Sequence, residues 1–329
     1  MSYELADKLV VGVASSALFD LKESDAVFRA RGEDDYRAYQ EEHLDDRLEP
    51  GVAFPFVRRL LSLNDLAPAD SPLVEVIILS RNDPETGLRV MRSIKSHNLP
   101  ITRAIFMQGR SPYKFIKALS MSLFLSGDPG DVREAIDLGF AAGQVIGAPA
   151  RDPEGKDLRI AFDFDGVLAD DESERIMQSD GLEAFHENET ENVLTPMHEG
   201  RLTEFLRGIN RVQDIEEGLR RDDPTYNRRV HVAIVTARNA PSHERVVKTI
   251  QSWGLRVNDA FFLGGIEKAA VLEVLRPHIF FDDQRKHLEP AADTVPSVHV
   301  PFGIVNQKAS ASGSTQAPEQ VEPPSPEPI

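Results

Sequence analysis

Short apolar runs alternate with longer amphipathic stretches along most of this chain. In the second half the runs fall at 158–162, 231–235, 260–263, 278–281 and 297–300. Helical periodicity fills the gaps, as at 242–253 and 268–275. The first half gives a similar series at 9–14, 74–79, 103–107 and 121–125. Strands buried on both faces read as continuous apolar runs. Their alternation with helices predicts parallel sheets joined by right-handed crossovers. The expected fold class is α/β.

The two series resemble each other. Residues 38–64 align with 184–210 without a gap, and Ala, Glu, Leu, Pro, Leu and Asn coincide. Residues 104–127 align with 260–283, placing AIFMQG over AFFLGG and SLFLSG over HIFFDD. Residues 10–20 match 160–170 in apolar pattern and in a closing Leu-x-Asp. The blocks keep their order, which points to a tandem duplication of one α/β unit. The expected organisation is a first domain over 1–149, a linker at 150–157 within the turn-rich stretch 147–157, and a second domain over 158–306. A tail at 307–329, rich in Pro, Ser, Gln and Glu, is expected to be disordered.

Composition bounds the partners. Acids outnumber bases by 54 to 37, a net charge of -17. That disfavours nonspecific nucleic-acid binding, which needs a basic footprint. It does not exclude a small phosphorylated substrate, because a bound cation supplies its own charge. Without any cysteine, disulfides and thiolate chemistry are excluded. Neither a signal peptide nor a membrane span is visible, so a cytoplasmic location is expected.

The chemistry concentrates at predicted strand ends. Ala161-Phe162-Asp163-Phe164-Asp165-Gly166-Val167-Leu168 runs from an apolar strand into Asp-x-Asp-Gly. Ligands of parallel sheets bind at the carboxyl ends of strands. Two acids this close repel and need a cation or a shared proton. Asp163 is a candidate nucleophile and Asp165 a candidate general acid and base. On its own the motif also reads as a solvated acidic loop. A second strand ends in Thr236-Ala237-Arg238, whose hydroxyl suits a phosphate oxygen. Lys268 opens a helix and can neutralise a phosphoryl group. A further strand ends in Asp282-Asp283, completing an oxygen-rich set suited to magnesium.

This ordered set resembles the four motifs of the haloacid dehalogenase superfamily. Further stretches resemble the cytosolic type I 5'-nucleotidases: Ala53-Phe54-Pro55-Phe56-Val57, Asp171-Glu172-Ser173-Glu174-Arg175-Ile176, Thr236-Ala237-Arg238, Ser252-Trp253-Gly254-Leu255 and Arg276 to Gln284. The resemblance covers roughly 9–307. It implies two tandem Rossmann-like haloacid-dehalogenase-type domains, each with a parallel sheet and a helical cap between motifs I and II. It implies magnesium-dependent hydrolysis of nucleoside 5'-monophosphates, AMP prominently, through an aspartyl-phosphate. Asp163, Asp165, Thr236 and Lys268 would be catalytic. Thr236, Ala237, Arg238 and Lys268 would bind substrate, and Asp163, Asp165, Asp282 and Asp283 the metal. A sugar-phosphate phosphatase and a nucleotide sensor with vestigial catalysis are the alternatives.

The cap of the second half is expected at about 171–230, with Phe185, His186, Asn188, Arg201 and Arg207 as candidates for base or ribose contacts. The aligned first half lacks the chemistry. Val13 and Ser15 stand opposite Asp163 and Asp165, Pro112 opposite Lys268, Ser126 and Gly127 opposite Asp282 and Asp283, and Ser80 or Leu79 opposite Thr236. A catalytically dead copy is expected. It retains Ser15, Ser16, Ser80, Arg81, Asn82, Gly109, Arg110, Ser111 and Ser126 at equivalent strand ends, where a nucleotide effector could bind. Oligomeric state, with a homo-oligomer as one option, is left open.

Overall fold

A computed structural model describes residues 3–148, 155–304 and 306. The expected tail and most of the expected linker lie outside these residues. The first half contributes β1 (Leu9–Val13), β2 (Val74–Ser80), β3 (Arg103–Phe106), β4 (Met121–Ser126) and β5 (Ala142–Ile146). The second contributes β6 (Leu158–Phe162), β7 (Val230–Thr236), β8 (Asp259–Phe262), β9 (Ile279–Asp282) and β10 (Ser297–His299). All ten form one sheet in the order β3-β2-β1-β4-β5-β10-β9-β6-β7-β8. Every pairing is parallel except β5 with β10, where Ser297 faces Ile146 and His299 faces Gln144. Each half therefore follows the same Rossmann-like order, and the two sheets join edge to edge.

The central strands explain the join. Every residue of β1 and β9 is buried, as both-face coverage by helices demands. A single core cluster spans both halves and includes Leu9, Val57, Leu60, Phe162, Phe205 and Phe281. Phe56 and Phe205, from equivalent helices, meet edge to face with centroids 6.3 Å apart. Burying each such side chain contributes roughly 1.5–3 kcal/mol, so this shared core holds the halves together, while each half keeps a smaller cluster on the other face of its sheet, around Phe124 in the first and Phe280 in the second. β5 is not among the apolar runs that predict strands. Its Ala-Gly-Gln start has weak strand preference, and its antiparallel partner lies at the far end of the chain.

The insertion expected as one cap behaves as two pieces. Helix Glu172–Glu191, kinked at Gly181, lies over the strand ends. Helix Thr203–Asp222 instead buries Phe205, Leu206, Ile209 and Val212 against the sheet. Only the first piece is placed to cover a ligand. The ungapped pairing of 38–64 with 184–210 also needs correction. Gly32 and Gly181 share one backbone conformation, φ 88° with ψ near 180°. Gly51 and Gly200 make the same tight approach to the turn after β1 and β6. Equivalent helix positions therefore differ from that pairing by just under one turn, a slip that leaves a 3.6-residue apolar pattern nearly intact.

A Cβ on Gly200 would lie 2.5 Å from the Ala169 carbonyl oxygen. We expect Gly200→Ala to cost about 1–3 kcal/mol, read as a lower thermal midpoint, with Gly218→Ala, a helix position where a Cβ meets nothing nearer than 4.0 Å, as the control that is not destabilised.

Candidate active site

Three of the four predicted acids, Asp163, Asp282 and Asp283, and the lysine meet at the carboxyl ends of β6 and β9. Asp163 follows β6 directly, and its Oδ1 accepts from the Phe164 amide at 2.7 Å. Lys268 begins helix Lys268–Leu275. Its Nζ lies 2.7 Å from Asp163 Oδ2 and 2.7 Å from Asp282 Oδ2. All three are buried. Gly166 turns the chain between them at φ 73°, and a Cβ there would lie 2.7 Å from Asp283 Oδ2. The glycine of the motif is therefore needed for both its conformation and its size.

Asp282 is fully satisfied. It accepts from Lys268, from the Gln284 amide at 2.7 Å and from His287 Nδ1 at 3.2 Å. Asp283 differs. Its Oδ1 is buried and has no hydrogen-bond partner among the described residues. An orphaned buried carboxylate oxygen is costly unless it is protonated or faces a cation. Burial first, then Asp163 and Asp282, pushes the Asp283 carboxyl up to about 9. Burial also raises Asp163, to about 6, against the pull of Lys268. For Asp282 burial is outweighed by Lys268 and His287, which hold it below the usual carboxylate range. Burial alone would lower Lys268, but Asp163 and Asp282 raise it.

The donor set fits a hard divalent cation. Ligand atoms of Asp163, Asp282 and His287 lie within 4.8 Å of one another, and the orphaned Asp283 oxygen adds another carboxylate. Magnesium prefers oxygen. His287 is then better placed to orient Asp282 than to bind the ion.

In the metal-free protein, the raised Asp283 value has a stability consequence. The folded state keeps a proton that an unfolded aspartate loses near pH 4, so stability is full below that pH and is lost as pH rises toward about 9. We expect the melting temperature in EDTA to fall across this window, and Asp283→Asn to flatten the fall.

Asp165 turns away from the acid cluster. Arg238 grips it through two nitrogens, Nε at 2.7 Å and Nη2 at 2.6 Å. Arg238, expected at the substrate, instead holds the second aspartate. Its third nitrogen contacts Glu189 on the insertion helix. Glu189 is buried and also receives Arg245 at 2.8 Å and Ser173 at 2.7 Å. Two cations around one buried carboxylate make a charge-assisted network that links the insertion to Asp165. Glu189, Arg245, Ser173 and His287 are absent from the sequence-derived set. Thr236 is buried at the end of β7 and accepts from the Arg238 amide at 3.3 Å. Ala237, Lys268 and His287 border a cavity of about 380 Å³.

The other insertion candidates divide. Phe185 lies under Arg238, with the guanidinium 5.3 Å from its ring centre. Asn188 donates to Glu189 at 3.3 Å. Arg201 instead reaches the Gly139 carbonyl, and Arg207 pairs with Glu199 and Glu204. His186 has a buried Nδ1 without a partner among the described residues.

The first half repeats the frame without the charge. Ser80 ends β2 and accepts from the Asn82 amide at 3.1 Å, as Thr236 does from Arg238. The register is therefore Ser80, not Leu79. Ser126 accepts from the Asp128 amide as Asp282 does from Gln284. Arg81 pairs with Asp131 and Glu134, and Arg110 donates to its own turn.

Carboxylates and a buried lysine gathered at the strand ends of a mostly parallel sheet define the class of site. A family model described as 5'-nucleotidase matches residues 1–307. The chain belongs to the 5'-nucleotidase family. Human cytosolic 5'-nucleotidase 1B is 34% identical over 294 residues, covering 86% of this chain and 47% of that protein. The chain thus spans about half the length of that curated relative. A solved histidinol dehydrogenase from Elizabethkingia anophelis overlaps 90% of this chain and 80% of its own, at a TM-score of 0.22 and 8% identity. That likeness is too slight to bear on fold or function. Among the described residues, no helix is long and apolar enough to cross a membrane.

Proposed function

We propose that this chain is a magnesium-dependent phosphatase of nucleoside 5'-monophosphates, built from two tandem haloacid-dehalogenase-type units of which only the second is catalytic. The observation that carries this reading is the buried Asp163–Lys268–Asp282 cluster beside the partnerless Asp283. Family membership and the name of the human relative favour a nucleotide substrate and a cytoplasmic setting.

Asp163 attacks phosphorus in line, forming an aspartyl-phosphate as the bond to the 5'-oxygen breaks. Asp165 protonates that departing oxygen, then takes a proton from the water that hydrolyses the intermediate. For this Asp165 must leave the grip of Arg238, so substrate entry is coupled to the Glu189 network. Lys268 and the Thr236 hydroxyl hold phosphoryl oxygens. Asp163 and Asp283 would hold magnesium, together with the Asp165 carbonyl. Asp282, saturated by other partners, would fix Lys268 instead. Magnesium would neutralise charge on the phosphoryl group. Helix Glu172–Glu191 serves as the cap.

Phosphate release from a panel of nucleoside monophosphates and sugar phosphates, with magnesium or with EDTA, tests the reading. Release from AMP or a relative only with magnesium is expected. Release from sugar phosphates alone would overturn the substrate, and no release from folded protein would favour a sensing role.

A further inference from the structure

A cavity larger than the one beside Lys268 lies at the strand ends of the first half. It encloses about 510 Å³ at the ends of β1, β2 and β4, under the insertion that corresponds to the cap. Ligand pockets of this size accommodate a molecule as large as a nucleoside. Its position is the one where α/β sheets bind ligands.

Its lining follows from a consistent set of replacements. Where the second half has Asp165, Thr236 and Arg238, this half has Ser15, Ser80 and Asn82. The Ser15 and Ser80 hydroxyls lie 3.3 Å apart on the floor. The Glu189–Arg245 pair is matched by Gln40, which accepts from Arg89 at 3.1 Å. Asp165, Arg238 and Glu189 are exchanged for the neutral, hydrogen-bonding Ser15, Asn82 and Gln40, the arginine is kept as Arg89, and the cleft remains. A pocket that only decayed would be free to fill with apolar side chains. This one keeps donors and acceptors suited to hydroxyl and ring-nitrogen groups.

The rim disfavours phosphate. Arg81 is committed to Asp131 and Glu134, and Lys22 lies 3.3 Å from Asp20. Asp25 also faces the cavity. Burial raises its carboxyl against the pull of Arg29, and Asp128 and Asp20 add to the rise. Arg29 also lines the cavity beside Asp25, but Asp20, Asp25, Asp128 and Asp131 against Lys22, Arg29 and Arg81 leave four carboxylates to three cations, and Pro112 stands at the place of Lys268. Leu21, Val52 and Val145 form an apolar wall facing the serines. A ligand with one flat apolar part and one hydroxyl-bearing part matches both sides.

We propose that this cavity binds an uncharged nucleoside, the chemical class that the second half would release, and not a phosphorylated effector. The identity of that class as product rests on the function proposed above. The binding itself does not, since it is measured without turnover.

The test is isothermal titration of the full chain with adenosine, AMP and glucose, for wild type and for Ser80→Val, Asn82→Leu and Thr236→Val. Saturable adenosine binding is expected. Ser80→Val and Asn82→Leu should weaken it about ten-fold or more through loss of hydrogen bonds, while the symmetric Thr236→Val leaves it unchanged. AMP and glucose should not compete for this site. Should either first-half variant fail to fold, Tyr36→Phe, at the half-buried rim, supplies the same comparison. Absence of adenosine binding would overturn the proposal. So would binding lost only in Thr236→Val, or equal competition by AMP or glucose.

Discussion

Asp163→Asn should abolish phosphate release, by about a thousand-fold or more, while leaving the protein as stable as wild type. The asparagine keeps the shape and the acceptor for the Phe164 amide. It removes the atom that must bond to phosphorus. The stability half of this expectation follows from electrostatics. Burial and Asp282 push the Asp163 carboxyl up to about 6 even with Lys268 at 2.7 Å. The folded environment therefore disfavours the ionised form, and a neutral isostere relieves that cost at neutral pH. Thermal melting alongside turnover checks both parts. A variant that melts well below wild type would mean the Lys268 ion pair outweighs the burial cost. A variant that keeps activity would remove Asp163 as nucleophile.

Glu189→Ala should have the largest effect on folding. The carboxylate is buried, and it is the shared partner of Arg238 and Arg245. Removing it leaves two buried guanidinium groups short of an anion, a loss of about 3–5 kcal/mol. Glu189→Gln keeps the volume and some hydrogen bonds, so it should fold better yet still lose activity. The reason is positional: Arg238 would lose its charged partner on the insertion, and the coupling between insertion and aspartate would be weakened. Denaturant unfolding of the two variants checks the stability ranking. Equal stability of Glu189→Ala and wild type would show that the network contributes little.

The site was legible where chemistry sits at the end of an apolar run. Asp163, Thr236, Lys268 and Asp282 each end, follow or open an element whose pattern is plain in the sequence, and Lys268 is in direct contact with Asp163 and Asp282. Glu189 was not legible. It lies in a helix crowded with acids, and nothing local separates the one that faces inward from those that face water. Its signal lay in the duplication, because Gln40 and Arg89 repeat the same contact, but the pairing of the two insertions was displaced by nearly a turn. His287 carried no signal either, since its contact with Asp282 spans a turn of unpatterned sequence. The join between the halves was hidden for a different reason. It depends on β5 and β10, two short strands far apart in the chain, and strand pairing over that distance leaves no local trace.

The central claim is that Asp163 carries the phosphoryl group, and it is tested most directly by trapping that group. Asp165→Asn lacks the base that would hydrolyse the intermediate. With an aryl phosphate, whose phenolate leaves without being protonated, the first step can still proceed. Labelled phosphate should then accumulate on the peptide containing Asp163 in the presence of magnesium. Label on a different residue, or turnover by wild type with no label trapped in the variant, would contradict the account.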